Sequence, residues 1–212
     1  MPRSIALFDL DGVILDTEGS YTAFWDDYGS RHFSEKDFGL KIKGQTLVKI
    51  LDDYFPEENE RKSITDAIND FERNMSYPFV PGVENYIKSL KSNGIRTAVV
   101  TSSNLPKMEN VYRCHPGFKE MFDIILTSED FSESKPSPYC YLKAMKLFGA
   151  GPENCVVFED SLAGLQAARA SGAFVTALTT TNPEEVVRNY ADLVIRDFND
   201  CGISANGLQH LK

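Results

Sequence analysis

The sequence predicts an α/β protein: a parallel sheet with helices on both faces and an all-helical insert after the first strand. Three observations predict it. Six short apolar runs recur without polar alternation, the pattern of strands buried on both faces. Helical patterns closed by glycine separate the later runs. Residues 16–80 hold amphipathic helical segments and no convincing strand.

The first run is IALF (5–8), followed at once by DLDGVILDT (9–17). The insert then reads as TEGSYTAFWDDYG (17–29), QTLVKILDDYF (45–55) and RKSITDAINDFERNM (61–75), closed by the turn YPFVPGV with Pro78, Pro81 and Gly82. Tyr21, Phe24 and Trp25 share one helical face, the spacing of a small core. NYIKSLKSNGI (85–95) is a helix that Gly94 ends, leading into the strand RTAVV (96–100). DIILT (123–127) is the next strand. Pro136 and Pro138 open the helical stretch PSPYCYLKAMKLFGA (136–150), which Gly149 closes. CVVF (155–158), the helix SLAGLQAARASGA (161–173) with Gly172, AFVTAL (173–178) and DLVI (192–195) complete the alternation. The tail CGISANGLQHLK (201–212) reads as irregular. The predicted organisation is a Rossmann-like core over 1–15 and 81–212, with an α-helical cap over 16–80.

A chain of 212 residues buries roughly 70% of its unfolded surface, enough to need no staples. The net charge of -9 argues against nucleic acid or an anionic membrane as partner. Cys114, Cys140, Cys155 and Cys201 have no metal-type spacing and read as reduced packing residues. No apolar run suits a signal peptide or a membrane span, so a cytoplasmic location is expected, and an architecture of this kind works as a monomer. His32, His115 and His210 are scattered, which disfavours a histidine-based triad or zinc site.

The chemistry concentrates where strands end. Asp9 and Asp11 are two apart in an extended segment, so both carboxylates aim at one place, with no Lys or Arg near them in sequence. Two like charges held together call for a cation. Thr101-Ser102-Ser103-Asn104 follows RTAVV, Ser134-Lys135-Pro136 precedes the next helix, and Glu159-Asp160-Ser161 follows CVVF. Ligands of open α/β sheets bind beyond these strand ends. Carboxylates suit Mg²⁺, and hydroxyls with a lysine suit a phosphate.

With DLDGV, TSS, SKP and ED in this order, the sequence resembles the haloacid dehalogenase superfamily of phosphotransferases over nearly its whole length. DLDGVILDT, KGQT and VVFEDSLAGLQAARASG are similar to the subgroup of β-phosphoglucomutases and small sugar- or polyol-phosphate phosphatases. The resemblance implies Asp9 as nucleophile, forming an aspartyl-phosphate, and Asp11 as general acid and base. It implies Mg²⁺ held by Asp9, Asp11 and Asp160, with Glu159 helping through water or from behind. Thr101, Ser102 and Lys135, with the backbone N–H groups of Leu10 and Gly12, would bind the phosphoryl group. Lys43, Gly44 and Gln45 occupy the position of a specificity loop. The mutases carry a histidine ten residues after the second aspartate and an arginine after the cap KG; here Tyr21 and Leu47 stand there. A Mg²⁺-dependent phosphatase of small phosphorylated metabolites is therefore expected. A hexose-phosphate mutase is the runner-up, and a non-catalytic phospho-ligand sensor the alternative outside enzymes. A dehalogenase is disfavoured, because its reaction has no alkoxide needing the Asp11 proton.

Overall fold

The structure, a computed structural model, describes residues 3–32, 37–199 and 201. The apolar runs pair side by side because each is apolar on both faces. β1 (Ile5–Phe8), β2 (Arg96–Val100), β3 (Ile124–Leu126), β4 (Cys155–Glu159), β5 (Phe174–Leu178) and β6 (Leu193–Ile195) form one sheet in the order β3-β2-β1-β4-β5-β6. Every neighbouring pair is parallel. β3 and β6 are shorter than the sequence predicts, for a physical reason. Asp123 and Asp192 sit just before them, and their carboxylates accept the N–H groups of Thr97 (2.7 Å) and Val175 (2.8 Å) on the adjacent strands. The side chain there captures a donor that a longer ladder would use.

Between β1 and the rest of the sheet lie α1 (Glu18–His32), α2 (Phe38–Ile42), α3 (Leu47–Tyr54) and α4 (Glu58–Asn74). Trp25, Tyr28, Phe38, Ile50, Phe55 and Ile64 form a hydrophobic cluster of their own, with Tyr21 and Phe24 packed against it. The two chain segments that lead into and out of this insert are bonded together: Asp16 N–H donates to Pro78 O (2.8 Å) and Val80 N–H to Ile14 O (2.9 Å).

The helices α5 (Val83–Ser92), α6 (Leu105–Cys114), α7 (Tyr139–Phe148), α8 (Leu162–Ser171) and α9 (Glu184–Val187) follow. Strand alternation divides the core. Phe8, Val99 and Phe158 face Tyr86, Leu90 and Met108 of α5 and α6. Ile5, Leu7 and Val100 face Tyr141, Met145 and Leu165 of α7 and α8. The Phe8 and Phe158 rings stack at 4.6 Å, and each such burial is worth about 1.5–3 kcal/mol. Asn104 and Ser161 accept the N–H groups of Lys107 (3.0 Å) and Gly164 (3.1 Å), which caps α6 and α8. Gly149 and Gly172 close α7 and α8 in the left-handed conformation.

β1 has β2 on one side and β4 on the other. The sheet therefore switches direction at β1, and the crevice beyond its carboxyl end is the expected ligand position. The tail predicted over 201–212 lies outside the described residues apart from Cys201. Among the described residues no helix is long and apolar enough to cross a membrane.

Candidate active site

Asp9 follows β1 directly, and its N–H continues the ladder to Phe158 O (3.0 Å). In the fold it is not without a cation. Lys135 Nζ lies 2.6 Å from Asp9 Oδ1 and 2.6 Å from Glu159 Oε1. Glu159 is fully buried and each oxygen is saturated. Oε1 also accepts the Tyr141 hydroxyl (2.7 Å). Oε2 accepts Asp160 N–H (3.0 Å), Ser161 N–H (3.2 Å) and the Ser161 hydroxyl (3.2 Å). Burial pushes the Asp9 carboxyl up to about 8; Lys135 opposes this, while Glu159 and Asp11 add to it. For Lys135 burial favours the neutral amine, yet the two carboxylates win and raise its pKa.

Asp11 sits beside it with three donors. Thr17 Oγ1 lies 2.5 Å from Oδ1, Ser103 Oγ 3.0 Å from Oδ2, and Lys107 forms an ion pair with Oδ2. Burial alone would raise its pKa, but Lys107 and these hydroxyls hold it below the usual carboxylate value. None of these partners was read from the sequence. A signal did exist for Lys107: it stands in the first turn of α6, where a cation opposes the helix dipole and so needs another reason to be there.

Asp160 completes the acidic group. Asp9, Glu159 and Asp160 each offer an oxygen within 4.8 Å of the others. One Asp160 oxygen accepts the Thr181 hydroxyl, while the buried Oδ1 has no hydrogen-bond partner. Burial and the nearby Glu18, Glu159 and Asp9 charges push its pKa well up. A buried, unpartnered carboxylate oxygen amid other carboxylates fits a hard divalent cation. Gly12 lies against this residue at φ 74°, and a Cβ there would overlap Asp160 Oδ2. Glycine is required on both counts.

The remaining predicted residues divide. Thr101 is buried, and its hydroxyl accepts Ser103 N–H (3.0 Å). The Ser102 hydroxyl faces the insert and donates to Gly44 O (2.8 Å). Gly12 N–H is bonded to Leu15 O (2.7 Å), and Leu10 O accepts Ile14 N–H (2.8 Å). Lys43 pairs with Glu18. Thr46 N–H donates to Ser134 Oγ (3.1 Å). Two hydrogen bonds thus hold the KGQT loop over the cleft, and Lys43, Gly44 and Gln45 line it with Asp9, Asp11 and Asp160. Glycine is needed at Gly44 too: φ is 77° and a Cβ would overlap Ser161 Oγ.

Comparison with known proteins identifies the family. Residues 4–172 match the family of haloacid dehalogenase-like hydrolases. A bifunctional riboflavin kinase/FMN phosphatase of Arabidopsis thaliana is 31% identical over 97% of this chain. The chain spans 56% of that relative's length. The validoxylamine A 7'-phosphate phosphatase of Streptomyces hygroscopicus subsp. limoneus is 26% identical, covering 92% of this chain and 94% of its own. A crystal structure of CbbY from Rhodobacter sphaeroides in complex with phosphate superposes with a TM-score of 0.76 at 27% identity, over 97% of this chain and 99% of that one. The family match runs from β1 to the end of α8 and so contains Asp9, Asp11, Thr101, Lys135, Glu159 and Asp160. By that match the chain belongs to the haloacid dehalogenase-like hydrolases.

Proposed function

We propose that the protein is a Mg²⁺-dependent phosphatase of small phosphorylated metabolites, with Asp9 as nucleophile. One observation carries this reading. Two carboxylates end the central strand side by side, one fixed by a buried lysine and the other by three donors. Lys135 commits Asp9 Oδ1, which orients the carboxylate and leaves its second oxygen to attack phosphorus. The P–O bond to the leaving alcohol breaks as the bond to Asp9 forms. Water then attacks the aspartyl-phosphate, releasing phosphate and restoring Asp9.

Asp11 handles the proton in both halves. Its ionised form, favoured by Lys107, Thr17 and Ser103, is the form that takes a proton from the attacking water. In the first half protonated Asp11 gives its proton to the leaving alkoxide, and in the second the resulting carboxylate takes one from the water, so the cycle balances. Asp9, Asp160 and the Asp11 backbone carbonyl would hold Mg²⁺, which supplies positive charge for the incoming phosphate. Glu159, with both oxygens occupied, acts from behind by fixing Lys135 and the 159–161 backbone. Thr101 and Lys135 would bind the phosphoryl oxygens.

Phosphatase is favoured over mutase by the insert. At the position where the mutases carry their histidine, the Tyr21 hydroxyl is committed to Glu72 (2.8 Å). The test is phosphate release from a panel of sugar, polyol and nucleotide monophosphates, with Mg²⁺ and with chelator. Release that chelator abolishes is expected, with a loss of at least about a thousandfold in Asp9→Asn. Release that survives in Asp9→Asn would refute the assignment.

A further inference from the structure

The cleft between insert and sheet encloses a cavity of about 100 Å³. Apart from Thr101, Ser102, Ser103, Asn104 and Ser161 at the strand ends, it has two kinds of wall. One is apolar, formed by Trp25, Ile42, Leu47, Ile50 and Ile68 of the insert. The other is acidic, formed by Asp11, Glu18 and Glu72. The cations on this lining are Lys43 and Lys107, and both are already neutralised. Lys43 pairs with Glu18, with 9% of its side chain exposed. Lys107 pairs with Asp11, with 5% exposed. Among the described residues no lining cation is left over. An unpartnered acceptor does remain: Gln45 Oε1 is buried without a hydrogen-bond partner. It suits a hydroxyl donor.

We infer that the alcohol part of the substrate is uncharged, and that phosphates carrying a second anionic group are refused. The inference rests on the phosphatase reading and narrows its substrate class. A carboxylate or second phosphate in this cavity has two places to go. Against the isoleucines it is desolvated without a partner. Against Glu72, whose carboxylate is held by the Tyr21 hydroxyl and, among the described residues, by no salt bridge, it meets like charge. A neutral polyol or alcohol escapes both costs, lays carbon on the apolar wall and offers Gln45 a proton.

The experiment compares phosphates matched in shape and differing in charge: glycerol 3-phosphate against 3-phosphoglycerate, and 4-carbamoylphenyl phosphate against 4-carboxyphenyl phosphate. The expected kcat/KM favours the uncharged member of each pair by tenfold or more. Two variants test the cause. Glu18→Gln unpairs Lys43, and Leu47→Arg adds a cation at a half-buried lining position. Each should shrink the discrimination at least threefold, whereas exclusion by size alone would leave the ratio unchanged. The same four compounds are ranked as ligands of Asp9→Asn protein by thermal shift with Mg²⁺, which needs no turnover. Equal kcat/KM within the pairs, or equal shifts in the variant, would overturn the inference. No phosphate release from any compound, with the binding order intact, would overturn the phosphatase reading and uphold the charge preference.

Discussion

Replacing Glu159 by glutamine is the most telling perturbation of this site, because glutamine keeps the shape and removes half the accepting capacity. Glu159 takes donors on both oxygens: Lys135 and Tyr141 on one, two backbone N–H groups and the Ser161 hydroxyl on the other. Whichever way the amide is turned, its NH₂ faces donors. The hydroxyls of Tyr141 and Ser161 can rotate to accept. The lysine, or else the N–H groups of Asp160 and Ser161, cannot. Removing one member of a buried ion pair costs about 3–5 kcal/mol. Lys135 keeps Asp9 at 2.6 Å and Val100 O at 3.3 Å, so the lower end applies, about 3 kcal/mol. With a urea slope of about 3 kcal/mol per molar, the midpoint should fall by about 1 M. The assay is urea unfolding followed by circular dichroism, with chelator present so that no cation contributes. Tyr141→Phe, which removes a single donor, should cost about 1 kcal/mol. A Glu159→Gln midpoint within about 0.2 M of wild type would refute the account of Glu159 as a saturated hub.

Mg²⁺ should stabilise the protein more as pH rises. Burial lifts the Asp9 and Asp160 carboxyls, Asp9 to about 8, so protons compete with a cation for both, and less so as pH rises. A carboxyl whose pKa is raised by folding stabilises the fold below its unfolded value of about 4 and loses that contribution as pH climbs through the folded value. The Mg²⁺-induced rise in Tm should therefore grow from pH 5 to pH 8, and equal rises at the two ends would contradict it. Gly44→Ala should lower kcat/KM at least about tenfold through the displaced KGQT loop, since the residue needs φ 77° and space against Ser161; unaltered kinetics would show the loop to be tolerant. Ser102→Ala should raise KM several-fold while leaving inhibition by inorganic phosphate unchanged, because its hydroxyl holds Gly44; weakened phosphate inhibition would return Ser102 to the phosphate site.

The strands were legible because a segment buried on both faces must be apolar throughout, as IALF and CVVF are. The Asp9–Asp11 pair was legible because strand geometry turns a spacing of two into a shared direction. Contacts made across the fold were not. Lys107 is 96 residues from the Asp11 it neutralises, and Glu18 is 25 residues from Lys43. No local pattern encodes either. Resemblance set Glu159 behind Asp160, but the two residues by themselves are alike, acidic side chains at a strand end. Only packing separates them, by giving Glu159 a donor for each oxygen and leaving Asp160 Oδ1 open. The strand ends at Asp123 and Asp192 misled for a similar reason, since their carboxylates end the ladder from outside it.

The central position of β1 also bears on how the chain is made. Its neighbours in the sheet come late: Ile5 pairs with Arg96 on one side and with Cys155 on the other. At about 5–20 residues per second, translation takes about 8–30 s to run from β1 to β4. The helices of the insert emerge early in that interval and can gather around Trp25 and Phe55. The IALF segment has no strand beside it until β2 emerges, and it is exposed to chaperones meanwhile. Asp9 and Asp11 therefore leave the ribosome well ahead of Lys135, Glu159 and Asp160, which follow more than a hundred residues later. A nascent chain carries the two aspartates long before the residues that surround them in the fold.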